Sequence, residues 1–234
     1  MGGRLPAALY PWAFRLGVVL AVASWTGATA AFLATRGRLP GLTQSALVEA
    51  ESALAKGDAQ KAIREYRQAA AVNAGDFQLL LGVGEGLARA GDMPGAMETF
   101  AKAQVLRPRS TELQTSVGWA LFWRRRFDEA LAQFDQALRR DPSSARAYAG
   151  VGEVRLEQDR YAEAQAALLK AVAIDPTDPT VHNNLGITYA LTGQPDRAVE
   201  HFSIAARLSP GPEFSANLSR AQAALEAAGR GRGR

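Results

Sequence analysis

Residues 179–212 read PTVHNNLGITYALTGQPDRAVEHFSIAARLSPGP. The turn dipeptide Gly193-Gln194 divides this segment, and Pro210 closes it, because proline cannot continue a helix interior. The unit is helix, short turn, helix, short turn. Pro108, Pro142 and Pro176 precede Pro210 at intervals of 34 residues, and most of the chain falls into register behind them. Counting each unit from Thr43, Phe77, Thr111, Ala145 and Pro179 puts the prolines at position 32. Position 20 is then Ala62, Ala96, Ala130, Ala164 and Ala198, and position 27 is Ala69, Ala103, Ala137, Ala171 and Ala205. Position 8 is Gly84, Gly118, Gly152 and Gly186, and position 24 is Tyr66, Phe100, Phe134, Leu168 and Phe202. A fixed period of this length marks a stacked-repeat protein, whose units bury their apolar faces against one another.

The columns have a physical reason. Alanine combines the best helix propensity with minimal bulk, so it suits points where helices cross closely. Glycine weakens a helix by about 0.5–1 kcal/mol relative to alanine, so its recurrence predicts close packing rather than helix building. The large residue at position 24 fills the space beside the small ones. Gly57-Asp58 and Gly91-Asp92 supply the mid-repeat turns of the first two units.

This pattern resembles the tetratricopeptide repeat, with spacing W-x2-L-G-x2-Y, then A-x3-F, then P. The last full unit matches through His182, Leu185, Gly186, Tyr189, Ala198, Phe202 and Pro210, and the third through Gln114, Val117, Gly118, Leu121, Ala130, Phe134 and Pro142. The resemblance covers residues 43–212. It implies an all-α, right-handed superhelical solenoid of about five helix-turn-helix repeats, at 43–76, 77–110, 111–144, 145–178 and 179–212. Residues 213–228 read as a capping helix with a polar outer face, which terminal repeats need for solubility. Repeat one departs from the pattern at Glu49, Ala50 and Ala74, so its first helix is expected to pack loosely. Arg155 stands at an aromatic position in repeat four and must carry its guanidinium to solvent or a partner.

Ahead of the repeats lie a short segment, 1–15, an apolar run, 16–35, and a linker, 36–42. The run LGVVLAVASWTGATAAFLAT is twenty uncharged residues between Arg15 and Arg36, about 30 Å of helix and enough to cross a hydrocarbon core. Tyr10 and Trp12 precede it as interfacial aromatics. Two readings stand. One is a retained transmembrane signal anchor, favoured because the run continues through Phe32 and Leu33. The other is a cleaved signal peptide, for which Ala28-Thr29-Ala30 fits the cleavage site. The basic residues flanking the run are nearly balanced, and the short amino-terminal segment favours export of the repeats. The expected location is the inner (cytoplasmic) membrane, single-pass, with the repeats periplasmic, or alternatively secretion. Gly27 and Ala31 form a small-xxx-small pair that hints at weak homo-oligomerisation through the span.

The net charge of +4 over 234 residues is uneven. Residues 1–40 carry four arginines and no acids, and residues 41–229 carry twenty Lys/Arg against twenty-three Asp/Glu. The tail at 229–234 adds Arg230, Arg232 and Arg234 and reads as disordered by composition. A slightly acidic repeat region argues against nucleic acid as the partner. The absence of cysteine decides no compartment.

Two histidines, His182 and His201, are too few for a zinc site, and HExxH is absent. His182 falls at a large, buried column and reads as core. Gly82-Val83-Gly84-Glu85-Gly86 fails the phosphate-loop patterns and lies inside a helix, so it is assigned to packing. Asn217-Leu218-Ser219 spells a glycosylation sequon within the capping helix. No catalytic residue, cofactor or metal is expected, and the chain does not read as an enzyme.

The family resemblance implies that first helices line a groove with positions 2, 5, 6, 9, 12 and 13. In repeat three this gives Trp119, Phe122 and Trp123 on one helical face, followed by Arg124, Arg125 and Arg126 in place of the Gly-Asp turn. The aromatics form either an apolar binding patch or packing against the neighbouring repeat. The arginines offer carboxylate or phosphate contacts. In repeat five Asn183 and Asn184 occupy positions at which family members hold a peptide backbone, and Arg146 is the basic residue of repeat four. The expected function is a membrane-anchored scaffold that binds a peptide or protein segment in this groove, in assembly of a cell-envelope complex. The alternatives are a periplasmic adaptor after signal cleavage and a module recruiting an enzyme.

Overall fold

The computed structural model describes residues 41–232. The segments expected at 1–15 and 16–35, most of the 36–42 linker, and the Gly27/Ala31 pair lie outside them. Among the described residues there are eleven α-helices and no strand. They are α1 (Gly41–Ala55), α2 (Ala59–Val72), α3 (Phe77–Arg89), α4 (Met93–Leu106), α5 (Thr111–Trp123), α6 (Phe127–Arg140), α7 (Ala145–Glu157), α8 (Tyr161–Ile174), α9 (Pro179–Leu191), α10 (Pro195–Leu208) and α11 (Pro212–Arg232). They form two compact units divided between Ser143 and Ser144. The first holds the pairs α1/α2, α3/α4 and α5/α6; the second holds α7/α8, α9/α10 and α11. No helix of the described residues is long and apolar enough to cross a membrane.

Local chemistry sets the helix ends. Position 34 carries Asp76, Ser110, Ser144 and Asp178, and each side chain accepts a backbone N–H from the first turn of the helix that follows. Asp58 and Asp92 cap α2 and α4 in the same way. At the corresponding place before α6 and α8 stand Arg126 and Arg160, with no side-chain cap bond. Each instead donates to the glutamate three residues on, Glu129 and Glu163. One residue earlier, position 15 has positive φ in every repeat: Gly57 at 78°, Gly91 at 98° and Gly193 at 75°, but also Arg125 at 58° and Asp159 at 60°. The left-handed backbone here belongs to the fold and survives without glycine.

The glycine column is a set of hollows. A Cβ added at Gly118 would stand 2.6 Å from the Phe134 ring, at Gly152 2.6 Å from Leu168, and at Gly186 2.7 Å from the Phe202 ring. Gly84 receives Phe100 in the same way, and Gly86 receives the Tyr66 ring of the preceding repeat. In repeats two to five the position-24 side chain of the second helix therefore docks on the position-8 glycine of its partner helix. Phe134, Leu168 and Phe202 are fully buried, as are the alanines of positions 20 and 27.

Two expectations are corrected. Repeat one does not pack loosely: Thr43, Ala46, Leu47, Ala50 and Ala53 are buried along α1. Glu49 is turned outward, where its carboxylate meets Lys61 at 3.3 Å, so the missing apolar residue leaves no gap. The final helix also runs beyond 228 to Arg232, so residues 229–232 are helical and not a disordered tail. Extending a formed helix by a turn needs no new nucleus. Arg155 meets the expectation of a partner, donating to Gln158 at 2.9 Å and pairing with Glu163 at 3.2 Å.

Candidate functional site

In the first unit α1, α3 and α5 bring positions 9 and 13 together as Glu51, Glu85, Arg89, Trp119 and Trp123. Arg89 lies at the end of α3 and its Nη2 donates to Glu51 Oε1 of α1 at 2.5 Å and to the Tyr66 hydroxyl of α2 at 3.2 Å. Tyr66 donates in turn to Glu51 Oε1 at 2.5 Å. Burial, reinforced by the Glu51 carboxylate and opposed by the guanidinium, pushes the Tyr66 hydroxyl far above its ordinary range, so it remains a donor. The Arg89 side chain is 3% exposed and that of Glu51 11%. The guanidinium lies 5.6 Å from the Trp123 ring centroid, in cation–π range. Glu51 Oε2, Arg89 Nε and Arg89 Nη1 are buried without a hydrogen-bond partner.

This arrangement corrects the expected aromatic patch. Trp119 and Phe122 are buried, with Trp119 making edge contacts to Phe122 and Phe134, each at 5.5 Å. Trp119 flanks the ring seated in the Gly118 hollow and belongs to the repeat's core. Trp123 is half-buried and meets Arg89. Of the arginine turn, Arg126 is engaged by Glu129 through both Nε and Nη2, at 2.6 Å each. Arg125 lies over Phe127 at 4.9 Å, and all three arginines are exposed. Arg146 is half-buried in the second unit.

In the second unit the expected backbone-holding asparagines are buried and already engaged. Asn184 Nδ2 donates to Glu153 Oε1 at 2.9 Å, and Asn183 Oδ1 accepts from Asn217 Nδ2 at 2.8 Å. Consecutive first helices, α7, α9 and α11, are thus bridged by side-chain amides. Asn217 is buried with its Nδ2 occupied, so the sequon is closed in the folded chain. Glu153 has its pKa pushed up to about 8, chiefly by burial and then by Asp178 and Glu157, while the Asn184 amide pulls the other way.

His182, buried as expected, meets His201 Nδ1-to-Nδ1 at 3.1 Å, and its Nε2 lies 3.1 Å from the Pro176 carbonyl. If Nε2–H donates to that carbonyl, His182 Nδ1 is an acceptor and His201 supplies the shared proton. Tyr189 stacks on His201 with centroids 5.3 Å apart. Burial, and then His182, lower the His201 pKa. Among the described residues no three His, Cys, Asp or Glu side chains form a metal site.

The sequence reading passed over Glu51, Glu85 and Glu153, although all three occupy position 9. A glutamate recurring where a helix faces its neighbours was the available signal. The Arg89–Glu51 and His182–His201 pairs had none, since each joins different helices.

Family models described as tetratricopeptide repeat match residues 47–111 and 118–179, with a further match at 167–200. The chain belongs to the tetratricopeptide repeat family. Similar solved structures include a thermophilic TPR protein of Thermus thermophilus, 20% identical, covering 77% of this chain and 98% of that one at a TM-score of 0.61. PilW, described as a widely conserved type IV pilus biogenesis factor, is 24% identical over 80% of this chain and 91% of its own, at a TM-score of 0.53. The APC/C hetero-tetramer Cut9–Hcn1 gives 24% identity, 74% and 35% coverage, and a TM-score of 0.54. At these identities the likeness is one of fold. No curated protein matches the chain.

Proposed function

We propose that this TPR protein is a membrane-anchored scaffold whose first-helix face binds a peptide or protein segment in assembly of a cell-envelope complex. The carrying observation is the Glu51–Arg89–Trp123 arrangement. Stacking needs small residues between helices, and this face instead holds a buried ion pair beside a half-buried tryptophan. Anchoring rests on the uncharged run 16–35, which matches a bilayer core in length. Export of the repeats to the periplasmic side rests on the short amino-terminal segment. Secretion after cleavage near Ala30 is the alternative that the Ala28-Thr29-Ala30 site supports.

Affinity capture from solubilised membranes tests the binding reading, using full-length protein with Trp123→Ala and Arg89→Gln as paired controls. The reading expects a partner held by the native chain and lost from both variants while their helicity is intact. A partner retained by both would remove this face from consideration. Sequencing the mature amino terminus separates anchor from adaptor.

A further inference from the structure

Repeat three departs from its neighbours at places off the face of positions 9 and 13. Glutamine stands at position 4 as Gln114 and at position 23 as Gln133, and position 28 of the preceding repeat is Gln104. No other repeat has glutamine at any of these three positions. Position 30 is apolar in the other repeats, as Val72, Leu106, Ile174 and Leu208, but is Arg140 here. The end of α4, the first turns of α5 and one face of α6 gather these residues, with Ser110 and Gln136, around a cleft of about 280 Å³. Gln133, Gln136 and Arg140 fall at i, i+3 and i+7 along that face. Gln104 and Arg140 are exposed, and Ser110, Gln133 and Gln136 are half-buried, so all five are open to a ligand. Gln114 lies on the floor, with its Oε1 shut away from solvent.

Donors outnumber acceptors around the cleft. Each carboxamide brings two N–H donors and one oxygen, and a guanidinium brings five donors and no acceptor. Ser110 Oγ already accepts the Leu113 N–H, which leaves its O–H to donate. Among the described residues no carboxylate lines the cleft. The first turn of α5 meets the last turns of α4 and α6 here, so the helix dipoles offset one another and Arg140 sets the charge. A peptide group would add a donor for each acceptor. A phosphate adds strong acceptors and fits a guanidinium through two oxygens. Hydroxyls, each with two lone pairs and one donor, match carboxamides that both give and take. The volume lies just below the usual range of small-molecule sites, about 300–1,000 Å³, so the cleft suits one small molecule and not a run of residues.

We propose that this cleft binds a small polyol phosphate, with the phosphate on Arg140 and the hydroxyls on Gln104, Gln133 and Gln136. The site is separate from the first-helix face and does not depend on the reading of that face as a partner surface.

Equilibrium dialysis of full-length protein against labelled glycerol 3-phosphate tests it. The site predicts saturable binding of one molecule per chain, with inorganic phosphate and glycerol each weaker by about tenfold or more. Arg140→Leu and Gln133→Ala put in residues that other repeats carry at the same positions, so both variants should keep native near-UV dichroism. Each should weaken binding by about tenfold. Binding that survives both changes overturns the proposal, as does inorganic phosphate held as tightly as glycerol 3-phosphate. N-acetylaspartate N-methylamide binding more tightly than glycerol 3-phosphate would make the cleft a peptide pocket and sink the proposal too. If a variant misfolds, the ranking of the phosphate, glycerol and peptide probes on the native chain still decides. Dihexanoyl phosphatidylglycerol shares the phosphate and hydroxyl chemistry and fixes the source. Binding tighter than that of glycerol 3-phosphate assigns a lipid headgroup, and weaker binding a free polyol phosphate. No saturable binding of either at millimolar concentration overturns the proposal.

Discussion

At Gly118 a single added methyl group would meet the Phe134 ring at 2.6 Å, and Phe134 is fully buried. Two effects compete in Gly118→Ala. Better helix propensity favours alanine by about 0.5–1 kcal/mol. Forcing a methyl into a filled core costs about 1–3 kcal/mol. Overpacking wins, so the variant should unfold at lower urea concentration with an unchanged m-value; an upward shift would mean the ring moves freely. Arg125 predicts the reverse. Its φ of 58° is left-handed, which strains a side-chain-bearing residue by about 1–2 kcal/mol, and glycine's larger unfolded-state freedom offsets part of the relief. Arg125→Gly should therefore stabilise by about 1 kcal/mol, read from the same urea midpoint, and Arg125→Ala should not. The glycine hollows were legible because a recurring small residue opposite a recurring large one has one economical explanation. Trp119 was not, because a helical position names the face but not the Phe134 edge that fills the space beside it.

Helix α9 is held between two titrating contacts with opposite slopes. Glu153 is raised from 4.5 to about 8, so between those values the native chain keeps a proton that the unfolded chain releases. Stability from this group is full below pH 4.5 and is lost as pH rises through 8, by about 1.4 kcal/mol for each unit of difference. His201 is lowered from 6.5, so as pH falls below 6.5 the unfolded chain takes up a proton on this side chain more readily than the native chain does. Its contribution is lost on the acid side. Thermal melts from about pH 5 to 9 should show Glu153→Gln flattening the decline that runs up to about pH 8, while His201→Gln flattens the loss below pH 6.5. A Glu153→Gln profile parallel to the native one would place the ionised carboxylate in a polar setting. The extent and pairing of α9 followed from the repeat register starting at Pro179 and the turn at Gly193-Gln194, while its Asp178 cap was seen only in the structure. Its bridges did not, because Asn184 and Glu153 lie 31 residues apart and only the stacking of first helices joins them.

Over the whole chain, charge and hydropathy separate the parts by task. The repeat region is slightly acidic, and the net positive charge resides in residues 1–40 and the carboxy-terminal arginines. A chain meant only to stack would need no uncharged run of twenty residues ahead of its first repeat. The run lies between Arg15 and Arg36, and twenty residues, if helical, would extend about 30 Å, the thickness of a hydrocarbon core, which is the basis of the proposed anchor. Electrostatic attachment by the same arginines would be screened by salt, whereas burial of an apolar helix would not be. The two are separated by washing membranes that carry the full chain, first with about 1 M salt and then with alkaline carbonate. An anchored chain stays with the membrane through both, and removal of residues 1–35 releases it. Release by salt alone would reduce the amino terminus to a basic tether. A soluble product beginning near Ala31 would make the repeats a free adaptor with the same binding face.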